Sequence, residues 1–215
     1  MGRRKEADAA WQRARELYSG LAADFPWNPV YRKDLGRVYV NLIGHYRVKG
    51  RPKEAEAAFD QCLTIWRDLV TEFPDVPGYR NSLAATLNRR GVLLKNLGQA
   101  QEAEEVYKQA LAISKQLVAD YPREAAYRDV LGDTLGDLGV LLDRPSRSRE
   151  VVLQSPGRSR KAAGAFTQAV AVFEQLAADF PTEPDYRNSL ARNRDQLAGT
   201  LRDAGRYPEA EATFH

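Results

Sequence analysis

Side chains able to do chemistry are few in this chain of 215 residues. There are two histidines, His45 and His215, and one cysteine, Cys62. No Ser-His-Asp or Cys-His set can be assembled from them, and no glycine-rich phosphate loop follows a strand-like run. No catalysis, no bound metal and no cofactor are therefore expected. His45 reads as a surface histidine and Cys62 as a small core residue; a lone cysteine also rules out an internal disulfide and suits a reducing compartment. What recurs instead is arginine beside tyrosine, at Tyr31-Arg32, Tyr79-Arg80, Tyr127-Arg128 and Tyr186-Arg187. Repeated arginines can bind phosphates. Each, however, follows an acid by eight residues: Asp24 to Arg32, Glu72 to Arg80, Asp120 to Arg128 and Asp179 to Arg187. An acid at a helix C-terminus and an arginine near a helix N-terminus both oppose the macrodipole. The expectation is a structural bridge between the two across each short turn.

Charge gives the second chemical signal. The formal net charge is +3, yet Arg144, Arg147, Arg149, Arg158, Arg160 and Lys161 crowd one stretch against the single acid Glu150. That stretch carries +5, leaving −2 for the remainder, so the body of the chain is not a polyphosphate-binding surface by net charge. The stretch is expected to be a flexible loop at a turn. Ser146, Ser148, Ser155 and Ser159 among its arginines would make it a regulatory segment if phosphorylated. Contact with nucleic acid or an acidic surface is the weaker alternative, because interleaved aromatics are absent.

The elements that must position these groups are repeats. The Tyr-Arg pairs are spaced 48, 48 and 59 residues, and an acid–aromatic–proline triplet keeps the same interval at Asp24-Phe25-Pro26, Glu72-Phe73-Pro74, Asp120-Tyr121-Pro122 and Asp179-Phe180-Pro181. A fixed period in this range is the signature of a solenoid, in which each unit packs on its neighbours. Residues 1–26 read as the second helix of a partial repeat, 27–74 and 75–122 as two full repeats, 123–181 as a third with the basic insert 145–160, and 182–215 as a truncated fourth. On this reading the chain is a piece of a longer array.

Within a repeat the pattern is helical throughout. Asn28-Pro29 is a good N-cap followed by a first-turn proline. Tyr31, Leu35, Val38, Leu42 and Tyr46 keep helical spacing. Gly50, Gly98 and Gly205 end first helices, where the chain must turn left-handed. Second-helix stripes follow: Ala55, Phe59, Cys62, Ile65 or Trp66, Leu69 and Phe73; then Ala103, Tyr107, Ala110, Leu117 and Tyr121. After the insert, a helix is predicted to resume near Lys161 with Ala162, Phe166, Ala169 and Leu176. Small residues at Gly91, Gly139 and Ala198 would let backbones approach, with Ile43 the exception beside Gly44. Truncating Phe59, Tyr107 or Phe166 should cost about 3–5 kcal/mol.

Gly91, then Ala103, Tyr107, Ala110 and Leu111, resembles the small–small–aromatic–Ala-Leu pattern of the tetratricopeptide repeat family, in a variant of about 48 residues per unit. The resemblance covers nearly the whole chain outside the insert. It implies an all-α, right-handed α-solenoid of stacked antiparallel helical hairpins, with a concave groove lined by first helices. Similar long repeats occur in large bacterial multidomain proteins, some with kinase domains attached, and nothing of a kinase domain is present.

Projecting that family's groove-facing spacing onto the first helices selects Arg37, Val40, Gly44 and Arg47; Ala85, Asn88, Val92, Lys95 and Asn96; Asp133, Gly136, Val140 and Asp143; and Arg192, Asp195, Gly199 and Arg202. The set is mixed in sign and lacks the Lys, Asn and Arg cluster that clamps a terminal carboxylate. The resemblance therefore implies a non-catalytic protein-interaction scaffold taking an extended peptide or partner helix of unknown identity. Binding of nucleic acid is disfavoured, and self-association through open terminal helices is a further alternative. No apolar run approaches the roughly 18 residues of a membrane span, and the first residues lack the apolar core of a secretory signal. A cytoplasmic location is expected.

Overall fold

A computed structural model describes residues 2–143 and 155–213. They form nine helices and no strand: α1 (Gly2–Asp24), α2 (Pro29–Val48), α3 (Pro52–Glu72), α4 (Pro77–Asn96), α5 (Ala100–Asp120), α6 (Ala125–Asp143), α7 (Ser155–Asp179), α8 (Pro184–Asp203) and α9 (Tyr207–Ala212). The fold class is all-α, with consecutive helices packed as antiparallel hairpins. The chain divides into two compact units, Met1–Arg90 and Gly91–His215, with the division falling inside α4.

Helix boundaries follow local chemistry. Asn28 Oδ1 accepts from Val30 N at 3.1 Å, with Pro29 in the first turn of α2. Gly50, Gly98 and Gly205 stand at φ 64°, 82° and 74°, a region costly for residues with a Cβ. The amide of the residue after each then reaches back into the preceding helix: Arg51 N to Tyr46 O, Gln99 N to Leu94 O and Arg206 N to Leu201 O, at 2.9 to 3.0 Å. That bond satisfies a carbonyl the helix end would otherwise orphan. The next helix starts on a side-chain pair three residues apart: Arg51 with Glu54, Gln99 with Glu102, Arg206 with Glu209.

In the Met1–Arg90 unit, Ala55, Phe59, Cys62, Leu63, Trp66 and Leu69 of α3 are buried, with Leu35, Val38, Leu42, Ile43 and Tyr46 of α2. Of the two alternatives in this stripe, Trp66 is the buried one and Ile65 is only half-buried. A Cβ on Gly36 would stand 2.7 Å from the Trp66 ring, so glycine here makes room for the indole. Gly44, in contrast, is exposed with open space beside it, and the buried Ile43 holds its own place.

The Gly91–His215 unit repeats the device. Cβ atoms on Gly91, Gly139 and Gly132 would lie 2.5 Å from Tyr107, 2.6 Å from Phe166 and 2.7 Å from Phe173. All three aromatics are fully buried. Phe173, absent from the expected stripe, occupies the position that Trp66 holds in the earlier repeat.

The expected arginine–acid bridges across short turns are corrected. Arg32 donates two hydrogen bonds to Glu72, at 2.5 and 2.7 Å, and Arg128 donates to Asp179 at 2.6 Å. Each arginine meets the acid that closes its own hairpin, because antiparallel packing lays the start of a first helix beside the end of its second. The guanidiniums also lie over the neighbouring rings, Arg32 over Phe73 and Arg128 over Phe180, both at 5.9 Å. The same rings touch the next tyrosine, Phe73 with Tyr79 at 6.3 Å and Phe180 with Tyr186 at 5.9 Å. The triplets Glu72-Phe73-Pro74 and Asp179-Phe180-Pro181 are thus gripped from behind by an arginine and from ahead by a tyrosine, joining successive hairpins.

The basic stretch also departs from expectation. Residues 144–154 lie outside the described residues, but α7 begins at Ser155 rather than near Lys161. Arg158 and Arg160 are helical, and Arg158 Nη2 donates to Leu141 O at 3.3 Å. That contact caps a carbonyl at the end of α6 and ties down the added turn.

Candidate functional site

The first helices α6 and α8 stand side by side in the Gly91–His215 unit, and two depressions open along them. The first, of about 250 Å³, is lined by Asp133, Gly136, Val140, Arg192, Asn193 and Gln196, with Phe166 of α7 also in its wall. The second, of about 450 Å³, shares Gln196 and continues past Asp195, Gly199 and Arg202 to Tyr207 of α9. Close approach of the two helices sets the floor. Gly136 carries no Cβ, and one placed there would lie 2.5 Å from Asn193 Oδ1. Asn193 is 3 % exposed and turns its Nδ2 back to Ser189 O at 2.8 Å.

Charge on this face is arranged at helical spacing. Asp129, Asp133 and Asp137 follow one another by four residues on α6, so they share a side. Asp133 meets Arg192 of α8 at 3.5 Å, and Asp137 meets Lys95 at 3.5 Å. Asp129 is half-buried; burial pushes its carboxyl above the usual aspartate value, and the nearby charge of Asp185 on α8 adds to the effect. Like charges in a partly dehydrated site disfavour ionisation.

The residues selected from sequence are distributed unevenly over these surfaces. Asp133 pairs with Arg192, and Asp195 and Arg202 line one depression, so α6 and α8 bring these four to a single face. Lys95 is 9 % exposed and committed to Asp137, and Val92 packs against the cluster of Leu94, Tyr107 and Leu141. Asn88 is buried as well, whereas Asn96 is exposed. A helix turns about 100° per residue, so a spacing projected from shorter repeats moves from groove to interior within one position. Arg37, Val40 and Arg47 lie on α2 in the other unit; both arginines are exposed, Val40 is half-buried, and Arg37 has Asp34 at 3.8 Å. Sequence reasoning missed Asn193, Gln196 and Tyr207. Asn193 alone carried a signal, a polar residue among the apolar positions of α8.

Comparison with protein-family models matches residues 82–139 and 157–182 to the tetratricopeptide repeat. Those two stretches match tetratricopeptide repeats. Among solved structures, the chain is similar to BtubC (BKLC) from P. vanneervenii, at 17 % identity and a TM-score of 0.51, covering 98 % of this chain and 87 % of that one. It is also matched to TTC0263, a thermophilic TPR protein in Thermus thermophilus, at 22 % identity and a TM-score of 0.32, covering 83 % and 88 %. No curated protein matches the sequence. Tetratricopeptide repeats generally mediate protein–protein interaction and are generally non-catalytic. Among the described residues no helix is long and apolar enough to cross a membrane, and no group of three or more His, Cys, Asp and Glu could hold a metal ion.

Proposed function

We propose that the chain is a non-catalytic interaction scaffold that holds an extended peptide or a partner helix along α6 and α8. The observation carrying this reading is the pair of depressions joined at Gln196, a trough running along two first helices whose floor is a close glycine–asparagine contact. Recognition in a groove between helices uses side-chain anchors at regular spacing, and two successive depressions supply places for two anchors. Asp133, Asp195, Arg192 and Arg202 are the polar contacts; Val92 and Lys95 support the frame from within.

Gly199 offers a clean test. No heavy atom lies within 4 Å of the place its Cβ would take, so Gly199→Trp puts a large ring into the trough rather than into the core. Peptides selected from a random library on the full chain are measured against this variant, with far-UV circular dichroism as the folding check. Loss of binding with unchanged helicity supports the reading. Selected peptides that bind the variant equally well, or a selection that enriches nothing above scrambled controls, contradict it.

A further inference from the structure

We propose that copies of this chain join head to tail, α1 of one lying along α8 of the next, with Arg187 seated on Asp24 and Phe25. Two contacts inside the chain show what such a junction requires. Arg32 is bonded to Glu72 and lies over Phe73, and Arg128 is bonded to Asp179 and lies over Phe180. At the first triplet Tyr31 meets Phe25 from ahead at 5.7 Å, but no arginine of the described residues covers the ring. Phe25 is 40 % exposed, whereas Phe73 and Phe180 are half-buried. The Asp24 carboxylate has no partner among the described residues. Neither has Arg187, the exposed arginine that α8 carries where α2 carries Arg32 and α6 carries Arg128. An open acid–aromatic pair and an open arginine are the two halves of one repeated contact.

The apolar seams beside them are open in the same way. Trp11, Tyr18 and Leu21 of α1 stand 48 residues before Phe59, Trp66 and Leu69. The later three are 0 %, 2 % and 0 % exposed, but the earlier three are only half-buried. On α8, Ala191 is exposed and Leu190 half-buried, at the positions where Gly132 and Leu131 of α6 are buried. Ala191 adds a methyl where Gly36 and Gly132 have none, so Tyr18 sits farther out and the junction is looser than a hairpin within the chain. The short α9 holds the place that the start of an incoming α1 needs. Among its described residues only Ala210 is buried, and it gives way. Arg192, Asn193 and Gln196 of the trough lie on another side of α8 from Arg187 and Ala191.

The test is sedimentation of the full chain over a wide concentration range. Association is expected, weakening with salt. Asp24→Arg and Arg187→Asp, each alone, should weaken it about tenfold. An equal mixture of the two, or the double variant, should restore it, because arginine again meets aspartate at every junction. Ala191→Glu, at an exposed position, should weaken it with unchanged far-UV circular dichroism. A chain that stays monomeric throughout overturns the proposal. So does association that Ala191→Glu leaves unchanged, or a mixture that fails to restore what the single reversals lost. Association weakened by Asp24→Arg but indifferent to Arg187→Asp is α1 paired with α1, and overturns it as well.

Discussion

Consider Gly132→Ala, alone and in a chain that also carries Phe173→Ala. The added methyl would stand 2.7 and 2.8 Å from Cε2 and Cζ of Phe173, a fully buried ring. Overpacking of this kind costs roughly 1–3 kcal/mol. Replacing a mid-helix glycine by alanine returns about 1 kcal/mol in helix propensity, so the single variant is expected to lose about 1 kcal/mol. Phe173→Ala alone should cost about 3–5 kcal/mol through lost burial and the void left behind. In that background the methyl enters empty space, so the propensity gain remains and a further contribution of about 0.8 kcal/mol comes from filling the void. Gly132→Ala thus changes sign between the two backgrounds, with a coupling of about 2–3 kcal/mol. Urea melts of the four proteins followed by far-UV circular dichroism read it directly. A coupling below about 0.5 kcal/mol, the range of independent sites, would refute the claim that glycine is there to admit the ring.

Two further predictions follow from single groups. The Arg32 guanidinium holds the Glu72 carboxyl below the usual glutamate value of 4.5; a depressed carboxylate stabilises the fold above its unfolded value and ceases to do so as pH falls through the folded one. The melting-temperature gap between wild type and Glu72→Gln should therefore be full at neutral pH and close on acidification below 4.5, and a gap independent of pH would contradict the bridge. Burial pushes the Cys62 thiol up to about 11, and it is fully buried, donating to Gly36 O at 3.5 Å. A thiol reagent at about pH 8 should label it only on unfolding, and rapid labelling of the native chain would contradict its place in the core.

Much of the architecture was legible because it rests on backbone punctuation repeated along the chain. Gly50, Gly98 and Gly205 announce left-handed turns, Asn28-Pro29 a helix start, and the Phe59, Tyr107 and Phe166 stripe a buried seam. Pairing was harder. An eight-residue spacing drew attention to Glu72 and Arg80, whereas the partner of Glu72 is Arg32, forty residues earlier; only the antiparallel course of the hairpin brings those two together. Large rings admitted by small neighbours are similarly non-local: Gly36 explains Trp66, and Gly132 explains Phe173, but neither pair is adjacent in sequence. The start of α7 at Ser155 depends on Arg158 finding the Leu141 carbonyl, a contact between helices. The candidate site was least legible. Whether Lys95 or Asn96 faces outward is a matter of one step around a helix, and the trough depends on Gly136 lying against Asn193.

Photo-crosslinking tests the central claim most directly. A library-selected peptide bearing one benzophenone residue is irradiated with the full chain, and attachment sites are read by mass spectrometry. Attachments between Asp133 and Asp143 of α6 and between Arg192 and Asp203 of α8 are the predicted result. Attachments confined to the exposed face of α7, around Gln168 and Gln175, or to the Met1–Arg90 unit would contradict it.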